Sequence, residues 1–371
     1  MTSTLYIGMI SGTSRDGVDA ALVSFEDGQP GLLEAICVPY PSALAASLQQ
    51  AVVKGQKPEE SVLISLDKQL AEHFSATVHQ LLSKTGIAAQ DVTAIGSHGQ
   101  TVWHAPDGPQ PETIQLGDPQ LIADETRIRT VGDFRRADME AGGQGAPLAP
   151  LLHRALFTPS QSSSTSTRVV LNLGGIANVS IIERDGKVSG FDTGPANCLL
   201  DAWIQKHKGQ AYDRGGRWSA EGTVIADLLR DMLNDPYFLK PAPKSTGIET
   251  FNLSWLERFG GVATGDARDI QSTLAELTAA TVAMDVYPHD PADILVCGGG
   301  AHNPDLLGRI QSRLPGTAVH STADFGLHPD WVEAVLFAWL AQERLSERPL
   351  NTASITGASS PVLLGRVANP R

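Results

Sequence analysis

Two glycine-punctuated turns and three carboxylates are the residues of this chain best suited to chemistry. The first turn, Gly12-Thr13-Ser14-Arg15-Asp16-Gly17, follows the apolar run Leu5 to Ile10 and leads into Val18 and Asp19. It offers consecutive backbone N–H groups, two glycines that allow close approach, and the hydroxyls of Thr13 and Ser14, a set that suits a phosphate. Asp16 and Asp19 could reach a divalent ion through water. Taken alone, the same residues read as a tight hairpin turn. Asp16 also stands where a Gly-x-Ser-x-Gly elbow needs its second glycine, which disfavours Ser14 as a nucleophile. What lifts the turn above a plain hairpin is its echo at Gly174-Gly175-Ile176-Ala177-Asn178 and a third cluster at Gly298-Gly299-Gly300. Two hairpin turns can hold the β- and γ-phosphates of one nucleotide, while a triple-glycine turn admits the adenosine. Neither GxxxxGK(S/T) nor GxGxxG between strand and helix is present.

The carboxylates are Asp133, Asp192 and Glu333, candidates for acid–base work. Asp192 is expected just past a strand from Val188 to Phe191 and near the start of a helix, as a cleft carboxylate or as an N-cap. Arg135 and Arg136 beside Asp133 could clamp a substrate carboxylate or form a surface ion pair. His98 could hydrogen-bond a sugar or brace the fold, and both readings stand. No HExxH or comparable metal spacing occurs.

These residues need elements to hold them. The spacing predicts a hairpin from Leu5 to Phe25 closing on Asp27-Gly28, and helices over 42–55 and 59–86 with Gly86 as the stop. A brief strand from Val92 to Gly96 is expected to end in a polar loop, Ser97-His98-Gly99-Gln100-Thr101. A helix should run to Phe157, followed by a flexible loop from Ser160 to Thr167. Strand, glycine turn, strand and Asp-Gly turn then repeat about 165 residues on, which predicts two similar lobes. Helices follow at 196–208, near 220–233, at 269–286 and at 331–344, the last one buried. The domains expected are 1–140 and 141–371.

The 371 residues favour two domains, and 42% hydrophobic with 19% charged residues describe a globular chain. A net charge of -13 lacks the basic footprint of a nucleic-acid binder. Cys37, Cys198 and Cys297 make no CxxC pair, so a reducing compartment fits. The N-terminus has no basic n-region, and no run approaches the ~18 apolar residues of a membrane span. A cytoplasmic protein is expected.

Read together, the segments resemble one family, anhydro-N-acetylmuramic acid kinase of the actin, hexokinase and heat-shock ATPase superfamily. They begin with Met9 to Asp19, Gly96 to Thr101, Asp133-Phe134-Arg135 and Ala141 to Leu148. They continue with Asn172 to Asn178, Gly190 to Pro195, Pro243-Lys244-Ser245-Thr246-Gly247, Cys297 to Gly300 and Trp331-Val332-Glu333-Ala334. The one departure is Arg15, where the family commonly has Leu. The resemblance implies an α/β, two-lobed, actin-like (ribonuclease H-like) fold with mixed sheets flanked by helices and a ligand cleft between lobes. It implies ATP and Mg²⁺, an anhydro-amino sugar as substrate, and a homodimer without nucleic-acid or membrane partners.

By the same resemblance Asp192 is the base that deprotonates water as the 1,6-anhydro ring opens and O6 takes the γ-phosphate, giving N-acetylmuramic acid 6-phosphate in cell-wall recycling. Gly12 to Asp19, Gly174, Gly175, Asn178 and Gly298 to Gly300 would hold ATP. His98, Gln100, Asp133, Arg135, Gln144 and Glu333 would meet the sugar, Arg135 facing its lactyl group. Closure of the lobes would exclude bulk water. The alternatives are an ordinary sugar or acid kinase that opens no ring, and a non-catalytic ATP-driven conformational module.

Overall fold

The computed structural model describes residues 4–12, 15, 17–52, 56–108, 110–158 and 167–371. Thr13, Ser14, Asp16 and most of the loop expected at 160–167 lie outside the described residues. The strands are β1 (Thr4–Ser11), β2 (Gly17–Glu26), β3 (Gln29–Pro39), β4 (Val92–Ala105), β5 (Glu112–Leu116) and β6 (Thr130–Gly132). They continue with β7 (Arg168–Leu173), β8 (Ile176–Ile182), β9 (Val188–Pro195), β10 (Asp293–Cys297), β11 (Ala318–Ser321) and β12 (Arg366–Ala368).

The chain divides into two compact units, Met1–Leu152 with Trp331–Arg371, and His153–Asp330. The boundary expected near 140 therefore falls later, and the last segment, expected in the second domain, belongs to the first. The physical reason is the helix Val332–Leu345, buried on nearly every side. A Cβ built on Gly8 of β1 would stand 1.8 Å from Ala334 O, and one on Gly96 of β4 would stand 1.9 Å from Phe337 O. Only glycine lets helix backbone lie this close to strand backbone.

In the first unit the order is β12-β6-β4-β1-β2-β3, with β5 paired to β4. β1 is antiparallel to β2 and parallel to β4. In the second unit the order is β11-β10-β7-β8-β9, with β7 antiparallel to β8 and parallel to β10. The arrangement β3-β2-β1-β4-β6 thus recurs as β9-β8-β7-β10-β11. This is the expected α/β class of mixed sheets flanked by helices, and the expected repeat is visible strand by strand.

Local chemistry accounts for the elements. The helix Glu60–Thr85 buries Leu66, Leu70, Phe74, Val78 and Leu81 on one stripe against the first sheet. It stops at Gly86, which takes φ 70° and bonds its N–H to Leu82 O. Phe74 is fully buried, and its loss to alanine would cost about 3–5 kcal/mol. In the second unit the helix Ala267–Val286 is buried along most of its length. Thr278 Oγ1 on it donates to Pro195 O at 2.9 Å, fixing the end of β9.

Three further expectations needed correction. β3 is a full strand, hidden in the sequence because its residues are mostly half-buried rather than cleanly alternating. The polar run at 97–101 is not a loop after a short strand but lies inside the 14-residue β4, where Gly99 at φ 74° absorbs an irregularity in register. Asp192 lies within β9 rather than beyond it, and the helix after it starts only at Asn197. Among the described residues no helix is long and apolar enough to cross a membrane.

Candidate active site

In the first unit the described parts of the opening turn are braced from β4. Ser11 Oγ donates to Gln100 Oε1 at 2.7 Å, and Gln100 Nε2 donates to Thr101 O at 3.2 Å and Gly12 O at 3.4 Å. Gln100 is buried, so its amide is spent on the turn. Arg15, at φ 55°, donates its N–H to Gly12 O at 3.2 Å. Gly17 is required by packing: a Cβ there would stand 2.5 Å from Val38 O of β3. Val18 is fully buried in the core, while Asp19 beside it is half-buried.

Arg135 and His98 form the polar centre of this unit. Arg135 Nε lies 3.2 Å and an Nη 2.9 Å from His98 Nε2, and its other Nη donates to Gly145 O at 3.0 Å. His98 Nδ1 lies 3.0 Å from Gly99 O. One tautomer satisfies both ends, with the proton on Nδ1 and Nε2 accepting. Burial and the Arg135 charge hold the His98 pKa well below the ordinary value, so the ring is neutral. Burial also lowers Arg135, to about 10, against the pull of Glu333. Gly145 is held in turn by Asp138, fully buried, whose Oδ2 accepts from Gly145 N at 2.7 Å while Oδ1 accepts from Thr356 Oγ1 at 2.7 Å.

Glu333 opens the buried helix, one residue before Ala334 and its contact with Gly8. Its side chain remains accessible, yet loss of solvation and the nearby Asp19 raise its pKa, with Arg135 pulling the other way. The structure thus brings Glu333, Arg135, His98 and Asp19 within electrostatic reach. It does not add Asp133, which accepts from Arg136 Nε at 2.8 Å and stands 3.5 Å from Arg366 Nε. Arg136 is therefore committed to Asp133, and the two arginines do not form a pair. Gln144 is exposed, with its backbone N–H on Thr356 O at 2.9 Å.

In the second unit the glycine clusters meet. The carbonyls of Gly174 and Gly175, between β7 and β8, accept from Asn197 N and Ala196 N at 3.0 Å each, joining the turn to the helix Asn197–Lys208. Gly298, at φ 77°, donates to Pro329 O at 2.9 Å, and a Cβ on it would stand 2.3 Å from Asn172 Oδ1. A Cβ on Gly300 would stand 2.5 Å from Leu173 Cβ. Gly299 between them faces open space, its nearest neighbour being Asn197 Nδ2 at 3.9 Å. Gly298 and Gly300 therefore bring this backbone against the Leu173–Gly174 turn, and Gly299 leaves room above it. A phosphate or nucleoside fits such a cradle, so the residues present suit a nucleotide.

Asp192 sits across β8 from this cradle. Asn172, Asn178 and Asp192 are successive register partners on β7, β8 and β9. The pairing of β8 with β9 shifts between Ala177 and Asn178, which leaves Thr193 as an extra residue beside Asp192. Such a bulge re-aims the neighbouring side chain. Ser245 Oγ donates to Asp192 Oδ2 at 3.1 Å, and Thr246 N donates to the same oxygen at 2.9 Å. Asp192 N donates to Lys244 O at 2.9 Å, and Tyr237 Oη donates to Asp192 O at 2.8 Å. Burial raises the carboxyl pKa, and the Thr246 and Ser245 donors offset part of the rise.

A mixed α/β unit is present twice, and the second copy sets a half-buried carboxylate beside a glycine cradle, a build that suits a phosphotransferase. The chain belongs to the anhydro-N-acetylmuramic acid kinase family, whose sequence profile matches residues 4–370. It is 48% identical to the anhydro-N-acetylmuramic acid kinase of Xanthomonas campestris pv. campestris strain 8004, over 98% of this chain and 97% of that one. It is 47% identical to that of Xanthomonas axonopodis pv. citri strain 306, over 98% of each chain. Among solved structures, the activator of the 2-hydroxyisocaproyl-CoA dehydratase from Clostridium difficile superposes with a TM-score of 0.46 at 13% identity, over 93% of this chain and 96% of that one.

The sequence pattern gives Ser245, Thr246 and Tyr237 no role of their own. The segment Pro243 to Gly247 was visible as a motif, but it meets Asp192 from more than 50 positions away, and no local pattern reports that contact.

Proposed function

We propose that this kinase hydrolytically opens 1,6-anhydro-N-acetylmuramic acid and phosphorylates O6 at the expense of ATP, giving N-acetylmuramic acid 6-phosphate and ADP in murein recycling. Family membership supports the acceptor sugar. The single observation that supports the hydrolytic half is the Asp192 carboxylate, with one oxygen held by two donors. Among the described residues no donor reaches the other oxygen, Oδ1. An acceptor so arranged can take a proton from water. Its raised pKa brings it closer to the range where a base exchanges protons readily.

In this reading Asp192 removes a proton from water as that water adds to the anomeric carbon and the bond from the anomeric carbon to O6 breaks. O6, released as the nucleophile, then attacks the γ-phosphorus. Gly174, Gly175 and Gly298 to Gly300 approach the nucleotide, with Asn178 between the cradle and the base. The first turn from Gly12 to Asp19 receives the terminal phosphates. Arg135 meets the lactyl carboxylate, and neutral His98 keeps the guanidinium in place. Glu333 accepts from sugar hydroxyls. Among the described residues no three acidic, histidine or cysteine side chains converge as an ion site. Mg²⁺ would be held chiefly by phosphate oxygens, with Asp16 and Asp19 reaching it through water, and it would neutralise phosphate charge. The working form is a cytoplasmic homodimer.

The test is turnover in water enriched in oxygen-18. The label should appear on the anomeric oxygen of the product. Product without solvent label there would reduce the enzyme to an ordinary sugar kinase.

A further inference from the structure

The segment Lys244-Ser245-Thr246 makes three connections that converge on one residue, Asp192, and a fourth that anchors the segment elsewhere. Ser245 Oγ and Thr246 N both end on Asp192 Oδ2, at 3.1 and 2.9 Å. Lys244 O receives Asp192 N at 2.9 Å. The Lys244 ammonium, nearly fully buried, turns the other way to Asp285 Oδ2 at 2.9 Å, and anchors the segment to the helix Ala267–Val286. From a third side Tyr237 Oη donates to Asp192 O at 2.8 Å. The carboxylate therefore cannot rotate without breaking two bonds, both on the same oxygen.

We propose that Ser245, acting together with the Thr246 N–H, is a positioning residue for Asp192: it holds Oδ2 so that Oδ1 alone faces the attacking water. The proposal rests on Asp192 being the base. It adds a determinant of that base's orientation and of the pH at which it works. A carboxylate rotating freely would offer either oxygen in many directions, and proton transfer needs one direction. Donors on Oδ2 also favour the ionised form, the form that can accept a proton. The other groups facing Asp192 are Tyr237, Lys244 and Asn178. Tyr237 has its pKa raised by burial and by Asp192 and Asp285, so it stays a neutral donor. Lys244 is committed to Asp285. Asn178, the register partner, carries no charge.

Ser245 is exposed, so replacing it does not threaten the fold. The experiment compares the pH profile of kcat for the wild type, Ser245→Ala and Ser245→Thr, with Asp192→Asn as reference. Loss of one donor to the ionised form should move the acid limb of the profile up by about half to one pH unit. It should lower kcat roughly five- to twentyfold at neutral pH, with KM for both substrates within about twofold. Threonine keeps the hydroxyl and should restore most of both. An unshifted acid limb in Ser245→Ala, with Asp192→Asn inactive, would overturn the positioning role and leave the base assignment standing. Near wild-type turnover in Asp192→Asn would overturn both.

Discussion

Gly8 of β1 and Gly96 of β4 are direct register partners, and the backbone of a single helix lies across both. That helix carries Glu333 in its first turn. The position of a candidate sugar-site carboxylate is therefore set by two hydrogen atoms where any other residue would place a methyl group.

Gly96→Ala should be strongly destabilising. A methyl at 1.9 Å from Phe337 O must push the helix off the sheet, and overpacking of this kind costs about 1–3 kcal/mol or more. Urea denaturation should show a lowered midpoint, and KM for the sugar should rise in the fraction that folds. An unchanged midpoint would mean that the helix is not seated on this strand pair.

The glycine cradle makes a sharper contrast. Gly299→Ala adds a methyl with nothing closer than 3.9 Å, so the fold should be unaffected. If a nucleotide lies over this backbone, KM for ATP should still rise about tenfold, a loss of ~1.4 kcal/mol. Gly298→Ala should harm both stability and nucleotide binding, because it adds strain at φ 77° to a 2.3 Å collision with Asn172. Thermal melting with and without ATP separates the two effects. Equal KM values for Gly299→Ala and wild type would move the nucleotide elsewhere.

Arg135→Lys keeps the charge and loses the fork that spans His98 and Gly145. KM for the anhydro sugar should rise at least tenfold while KM for ATP stays put, as steady-state kinetics with each substrate varied would show. A parallel rise in both would point to a general loss of structure.

The pH dependence of stability has an assignable source in His153. Its Nδ1 lies 2.8 Å from Ser180 Oγ inside the second unit, and burial lowers its pKa to about 3. The unfolded chain, with a histidine near 6.5, binds the proton that the folded ring refuses. Stability from this group is therefore complete above about pH 6.5 and is lost as the pH falls toward 3, at up to ~1.4 kcal/mol per pH unit. His153→Gln should flatten the slope of unfolding free energy against pH over that window, and an unchanged slope would assign it to other groups.

Much of the architecture was legible because the chain says it twice. Strand, glycine turn and strand recur with the same spacing cues, and the helix at 60–85 follows apolar periodicity to a glycine cap. β3 escaped because its residues are mostly half-buried. Glycines inside strands do signal a close backbone approach, so Gly8 and Gly96 carried information that spacing alone did not exploit. The partners of Asp192 and the commitment of Asp133 to Arg136 and Arg366 were invisible for another reason. They depend on where loops distant in sequence come to rest, and a hydrogen bond to a backbone N–H such as that of Thr246 leaves no mark on residue choice.

The first unit is discontinuous in sequence, and translation turns that into a matter of time. β1 and β4 leave the ribosome before the whole of residues 153–330 is made, and their covering helix appears only afterwards. At the usual ~5–20 residues per second the glycine-lined face waits roughly ten to fifty seconds for its lid. Through that interval a nascent sheet with buried-type side chains on show is a client for whatever shields apolar surface in the cell, while the second unit, contiguous in sequence, has no such wait.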